Sequence, residues 1–386
     1  MKTAKVTALL GYLLLAMSLV GCSLFEVRDE LLDPVKLNKI TTEVSPKTVY
    51  KVSVGKGVND EFSRLAPMHN GDQLITVDVA GNITAWRKND GKRIWRQETG
   101  LKVQTGVNGS SETILVGAAD GTVNAYDAKD GAALWTTSLN SVVMAVSGAT
   151  DTHAVVRTKN GYIHALELAD GEVRWSINRE VPPLTLHGQS TPLFYADKVL
   201  IGLDNGRLLA LSADDGKVLW ERAVASGRGS NELDRMVDID GRFVVENNIA
   251  YVSTFQGNVA AINIESGDAI WTQEASSVVG LSTDDDRIYY TDSNDVVWAL
   301  DKYLGESIWK NEELLRRDLT VPVVHGDYVV AADVEGYLHW FSKEDGRIVA
   351  RQKTGATVIT EPYVSDGLLY VLNTNGSLSV WRLPSS

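Results

Sequence analysis

The sequence predicts an all-β fold, an eight-bladed propeller of four-stranded antiparallel blades whose last blade is closed by the N-terminal strand. Three observations predict it. A unit of about 40 residues recurs along the chain, marked by two glycines and a tryptophan at fixed spacing. Each unit divides into four short strand-like stretches separated by turn dipeptides. One unit is split between the two ends of the chain.

The clearest copy runs from Asp120-Gly121-Thr122-Val123 through Asp127 and Gly131 to Leu134-Trp135. Its first glycine recurs at Gly81, Gly161, Gly206, Gly257, Gly336 and Gly376, with Asp295 in that place in the sixth copy. Ten residues later stands a second glycine: Gly91, Gly131, Gly171, Gly216, Gly267, Gly305 and Gly346. Four residues further on comes Trp95, Trp135, Trp175, Trp220, Trp271 or Trp309, and Ala350 in the seventh copy. Within the copy, Thr113 to Ala118 is an apolar run, and Asp120-Gly121 suits a hairpin turn with positive φ. Val123, Ala125 and Asp127 alternate with their neighbours as in a strand with one buried face, Asp130-Gly131 turns again, and Leu134-Trp135 begins the outermost strand. No stretch after residue 46 holds a helical apolar period over three turns without interruption. A Trp fixed at the outer strand is expected to wedge against the next blade and to need a partner for its N–H.

The eighth copy, Thr374 to Trp381, stops after its third strand. The missing fourth strand lies at the other end of the domain, where Thr48-Val49-Tyr50-Lys51 matches Arg93-Ile94-Trp95-Arg96, with Tyr50 in the Trp position. Sharing one blade between the two ends covers the open edge that a ring must close.

Ahead of the repeats, Lys2 and Lys5 precede an apolar run from Val6 to Val20, too short to span a bilayer and suited to a cleaved secretory signal. It ends in Leu19-Val20-Gly21-Cys22, which resembles the lipobox of bacterial lipoproteins. The resemblance implies a signal over residues 1–21, acylation of Cys22, and, with Ser23 following, sorting to the outer membrane facing the periplasm. Cys22 is the one cysteine of the chain, so an oxidising compartment offers it no internal disulfide partner. Residues 22–45 are expected to form a flexible tether and residues 46–386 the propeller. The net charge of −13 argues against nucleic acid, which is held through clustered Lys and Arg.

Function is expected where the repeat is broken. From the Trp position to the next first glycine most copies take 24 to 27 residues, but Trp175 to Gly206 takes 31 and Trp220 to Gly257 takes 37. The extra length lies in crossovers between consecutive blades, which emerge on one face. The first, residues 179–192, carries Pro182-Pro183, which stiffen it, then Leu184 and Leu186 with the same parity. The second, residues 227–240, offers flexible glycines followed by Arg235, Asp238 and Asp240. Apolar residues beside charges suit a protein contact with a hydrophobic centre and polar rim.

The unit Ala125-x-Asp127-x-x-x-Gly131-x-x-x-Trp135 resembles the tryptophan-docking repeat of quinoprotein dehydrogenases, which are eight-bladed propellers. With the Cys22 motif and a single propeller, the whole chain resembles the BamB family, lipoproteins of the outer-membrane β-barrel assembly machinery. The more specific part is Pro183 to Ser190 and Glu232 to Asp240. The resemblance implies a non-catalytic scaffold that binds the POTRA domains of BamA and assists folding and insertion of β-barrel proteins, with unfolded outer-membrane proteins as further partners. It implies apolar anchors at Leu184 and Leu186, acidic or hydrogen-bonding contacts at Asp238 and Asp240, and further contacts at His187 and Arg235. Members commonly carry Arg where this chain has His187, so a permanent charge becomes one that depends on pH.

Two other readings share the fold. A quinone-dependent dehydrogenase resembling the first family requires adjacent cysteines and calcium ligands, and the chain has no second Cys and no clear calcium loop. The six histidines lack the spacing of a zinc site, no nucleophile elbow or phosphate loop is present, and Asp284-Asp285-Asp286 falls where a solvated hairpin turn is expected. No catalytic residue, metal or cofactor is therefore assigned. A generic periplasmic adaptor with another partner is the third reading.

Overall fold

The computed structural model describes residues 33–57, 65–186, 190–227 and 230–384. Cys22 and His187 lie outside the described residues, so the acylation and the contact expected of them have no structural counterpart here. The described strands form eight four-stranded antiparallel sheets, the blades of a propeller. Seven are sequential meanders: blade 1 (68–98), blade 2 (108–138), blade 3 (143–178), blade 4 (193–223), blade 5 (244–275), blade 6 (281–311) and blade 7 (323–353). Blade 8 takes three strands from residues 363–382 and its outermost from Lys47–Ser53, in the expected closure.

The first glycine forms the turn between the second and third strands. A left-handed backbone is required there: φ is +87° at Gly121, and Asp295, which replaces the glycine in blade 6, adopts φ 64°. Blade 5 solves the turn differently, with the positive φ on Gln256 (47°) in place of Gly257. These turns touch the crossovers, as Gly121 does against Ser141 and Gly206 against Val237, so both lie on one face of the disc.

The second glycine is the seat of the tryptophan. A Cβ on Gly131 would stand 2.7 Å from the Trp95 ring, and one on Gly267 2.7 Å from that of Trp220. Each indole N–H donates to a carbonyl of the next blade: Trp95 to Ala128, Trp135 to Leu168, Trp175 to Ala213, Trp220 to Ile264, Trp271 to Lys302 and Trp309 to Lys343, at 2.7–3.2 Å. Tyr50 does the same from blade 8, its hydroxyl 2.8 Å from the Lys88 carbonyl and its ring against Gly91. The bulk and the single donor of the indole are thus both satisfied across the interface.

Eight apolar clusters hold the disc, each joining two consecutive blades, and the cluster of Val54, Leu74, Trp86, Tyr370 and Val380 joins blade 8 to blade 1. This face-to-face stacking corrects one expectation. The middle strands are buried on both sides, as in Thr113–Gly117, where every residue is buried. The polar alternation of the third strand survives because its polar members pair within the sheet, Thr136 donating to Asn124 at 2.9 Å.

A second correction concerns the tether. Residues 33–45 are not loose; they lie along blade 7. The Val35 N–H donates to the Leu315 carbonyl and that of Glu43 to the Val349 carbonyl, and Leu37 and Ile40 pack on the core between blades 6 and 7. Sparse aromatics and scattered charge suggest a linker, but three apolar side chains at residues 37, 40 and 44 are enough to dock an extended segment on a preformed surface.

Candidate partner-binding site

The two long crossovers are neighbours, as their places after consecutive blades require. The first leaves blade 3 at Asn178 and is pinned at its start by Arg179, whose guanidinium lies 3.4 Å from Glu221 on the outer strand of blade 4. Its end is held by Arg157, which donates to the carbonyls of Ser190 (3.2 Å) and Gly202 (2.9 Å) and pairs with Asp204 at 3.0 Å. The second crossover turns at residues 231–235, where Asn231 and Asp234 exchange hydrogen bonds at 2.8 and 2.9 Å. It then runs back over blade 4, the Ile239 N–H donating to Leu203 and the Asp238 carbonyl accepting from Phe255.

The side chain of Asp238 joins the two. Its Oδ2 accepts the backbone N–H of Leu186 at 2.5 Å, across 52 residues of sequence. Its other oxygen, Oδ1, is buried without a hydrogen-bond partner among the described residues. Burial pushes the carboxyl up to about 6, helped by the charge of Asp204; the Leu186 N–H and Arg157 act in the opposite sense. The carboxylate therefore positions a loop. It is not presented to a partner: Asp238 is 1% exposed and Asp240 4% exposed, which corrects the expectation that both supply surface contacts. Their charged, turn-like setting reads as surface in one dimension, but the backbone carries both beneath the rim, in a stretch where Val237 and Ile239 are buried as well.

The apolar expectation has the geometry it needs. Leu184 is 37% and Leu186 40% exposed, while Thr185 between them is buried, so the two leucines share the outward direction. Arg235 is exposed on the second loop. Leu233, which sequence reasoning did not single out, is 62% exposed on the turn beside it. An apolar residue inside a run of charges at a loop tip was the available signal. Exposed leucines on two loops joined by the Leu186–Asp238 hydrogen bond, with the exposed Arg235 on the second, can bind an apolar surface.

The remaining candidates separate. His153 and His164 stand on adjacent strands, one against Phe194 and the other bonded to Ser176, and no three potential metal ligands gather among the described residues. Asp285 and Asp286 form the exposed turn expected, while Asp284 accepts the Arg287 N–H and the Tyr289 hydroxyl.

Comparison with known proteins fits this architecture. The sequence profile of the family described as outer membrane protein assembly factor BamB matches residues 79–311 and 314–384. The BamB of Escherichia coli is 36% identical over 381 residues, 96% of this chain and 97% of that protein. That of Pseudomonas aeruginosa is 43% identical over 372 residues, with 96% and 97% covered. The crystal structure of BamB from Moraxella catarrhalis superimposes with a TM-score of 0.81 at 27% identity, covering 88% of this chain and all of that one. A quinohemoprotein alcohol dehydrogenase from Comamonas testosteroni superimposes at 0.70 with 12% identity, over 91% of this chain and 80% of its own, a likeness of fold alone. Repeat, closure and full-length similarity agree, and the chain belongs to the family of the outer membrane protein assembly factor BamB.

Proposed function

We propose that this chain is a non-catalytic scaffold lipoprotein of the outer-membrane protein assembly machinery, anchored through an acylated Cys22 on the periplasmic face and holding the POTRA domains of BamA with its two long crossovers. The observation that carries the reading is the tie between Leu186 and Asp238, which fixes two loops together and leaves their leucines in solvent. Leu184, Leu186 and Leu233 are the apolar anchors. Arg235 and His187 belong to the polar rim, and Asp238 and Asp240 act from beneath. A rigid disc suits this task because Leu186 is held by Asp238 before the partner arrives, which lowers the entropy cost of association. Apart from blade 7, along which residues 33–45 lie, the outer strand of each blade has no further strand on its outward edge among the described residues, a place where an unfolded β-barrel client adds a strand.

The test is calorimetry with purified POTRA domains. Leu184→Asp with Leu186→Asp places two charges in a desolvated contact and is expected to weaken binding at least about a hundredfold, roughly 3 kcal/mol, with the circular dichroism of the disc unchanged. Affinity equal to that of the unmodified protein overturns the reading. Asp238→Asn keeps an acceptor for the Leu186 N–H and is expected to keep affinity.

A further inference from the structure

Blade 7 departs from the repeat in two ways that the contact with a partner does not use. It has Ala350 where the other complete blades have Trp, and it buries a network of charges. Arg317 (2% exposed) donates from Nε to Asp333 at 2.8 Å, and His339 Nε2 lies 2.9 Å from the same carboxylate; both Asp333 and His339 are fully buried. Arg351 donates from Nε to His339 Nδ1 at 3.2 Å, which leaves the imidazole proton on Nε2 for Asp333. Arg317 also pairs with Glu335.

The remaining donors of Arg317 and Arg351, with Arg316 and Arg347 near them, point at residues 33–46. Arg317 Nη1 donates to the Val35 carbonyl at 2.8 Å, Arg351 Nη1 to that of Asn38 at 2.9 Å and Arg316 Nε to that of Asp33 at 2.9 Å. Arg347 grips the Glu43 carboxylate with Nε (3.0 Å) and Nη2 (2.8 Å). The missing Trp has its reason here. A tryptophan of blade 7 would dock on the turn before the outermost strand of blade 8, and that turn does not exist because the chain ends part there. Val44 fills the place, 9% exposed and clustered with Val349, Ala350 and Trp381. The segment climbs the outer edge of blade 7 from Pro46 to the crossover at residues 312–322, so Asp33 arrives on the crossover face.

We propose that blade 7 is built to clamp residues 33–46 as a strap, that the chain leaves the disc for the membrane at the crossover-face rim of blades 6 and 7, and that this rim faces the bilayer. The proposal rests on the acylation of Cys22. With the strap held, Cys22 is 11 residues from Asp33 and reaches at most about 40 Å; with the strap free, the chain from Cys22 to Lys47 reaches about 90 Å at most. The clamp converts a long leash into a short one attached at one place on the rim.

Two measurements on the full chain test it. Hydrogen exchange on the Cys22→Ser protein reads the strap alone: the Val35 and Glu43 amides are expected to exchange at least a hundredfold slower than open chain, and Leu37→Asp with Ile40→Asp is expected to abolish that protection while the blades keep theirs. Open-chain exchange in the unmodified strap overturns the clamp. Energy transfer on acylated protein, bound to phosphatidylethanolamine–phosphatidylglycerol vesicles carrying acceptor headgroups, reads the orientation. A single donor is placed on Glu312→Cys, beside the rim, or on Lys129→Cys, on the opposite face at blade 2. Transfer is expected to be higher from position 312, and the strap variant is expected to abolish the difference. Equal transfer from the two positions in the unmodified strap overturns the orientation. If Cys22→Ser protein stays on the vesicles, the acyl anchor fails and the membrane-facing rim with it, while the exchange result still judges the clamp.

Discussion

Replacing Asp238 with Asn removes a titration and keeps a hydrogen bond. The carboxyl is raised from 3.8 to about 6 in the folded protein, chiefly by burial. Between those two values the unfolded chain has lost the proton and the folded chain still holds it. A raised carboxyl pKa therefore makes stability fall as pH climbs through this window and level off above it. Two units correspond to about 3 kcal/mol, an upper figure for a side chain that is 1% exposed. Asn does not titrate, and its amide oxygen can accept the Leu186 N–H in place of Oδ2. At pH 4 the variant and the unmodified protein are expected to differ little; at pH 8 the variant is expected to be more stable by up to about 3 kcal/mol. For a disc of about 340 residues the unfolding entropy is about 0.7 kcal/mol/K, so the gain appears as a rise of about 4 °C in the melting midpoint at pH 8 and almost none at pH 4. Calorimetric melts of both proteins at half-unit intervals from pH 4 to 8 make the measurement. A midpoint difference that does not change with pH refutes the argument, because it means that Asp238 enters the folded state with an ordinary pKa and is not the buried tie described.

Two further outcomes follow from the interfaces between blades. Trp220→Ala is expected to cost about 3–5 kcal/mol in urea unfolding, and Trp220→Phe, which keeps a ring but leaves the Ile264 carbonyl without its donor, about 1–3 kcal/mol relative to the unmodified protein. Gly267→Ala combines φ +72° with a Cβ 2.7 Å from the Trp220 ring, whereas Gly71→Ala has φ +54° and open space; the same unfolding measurement is expected to show about 1–3 kcal/mol more loss for the first than for the second, and equal losses contradict the docking role.

The scaffold was legible because a repeat states the same local instruction many times. Two glycines and a Trp fix two turns and one interface per blade, and the split eighth copy announces the closure. The candidate site was legible in part, through the lengths of two crossovers. Leu184 and Leu186 followed from parity in a loop stiffened by Pro182 and Pro183. Asp238 and Asp240 did not, since a carboxylate in a loop of charges carries no local mark of whether the backbone will pass above or beneath its neighbours. Leu233 was overlooked for the converse reason: one leucine among charges has no period to reveal its direction.

The sequence by itself determined the number of blades, the strand order, the tryptophan seats and the face on which the long crossovers emerge. All of these depend on contacts at short or regularly repeated separations, where backbone sterics and the burial of one large side chain decide the outcome. Tertiary structure alone decided that Asp238 holds Leu186 across 52 residues, that residues 33–46 lie on blade 7, and that Arg317 and Arg351 are turned toward them. Those contacts join segments that are unrelated in the repeat. Their energies come from desolvation and hydrogen bonding in a particular place, and that place exists only after the ring has closed.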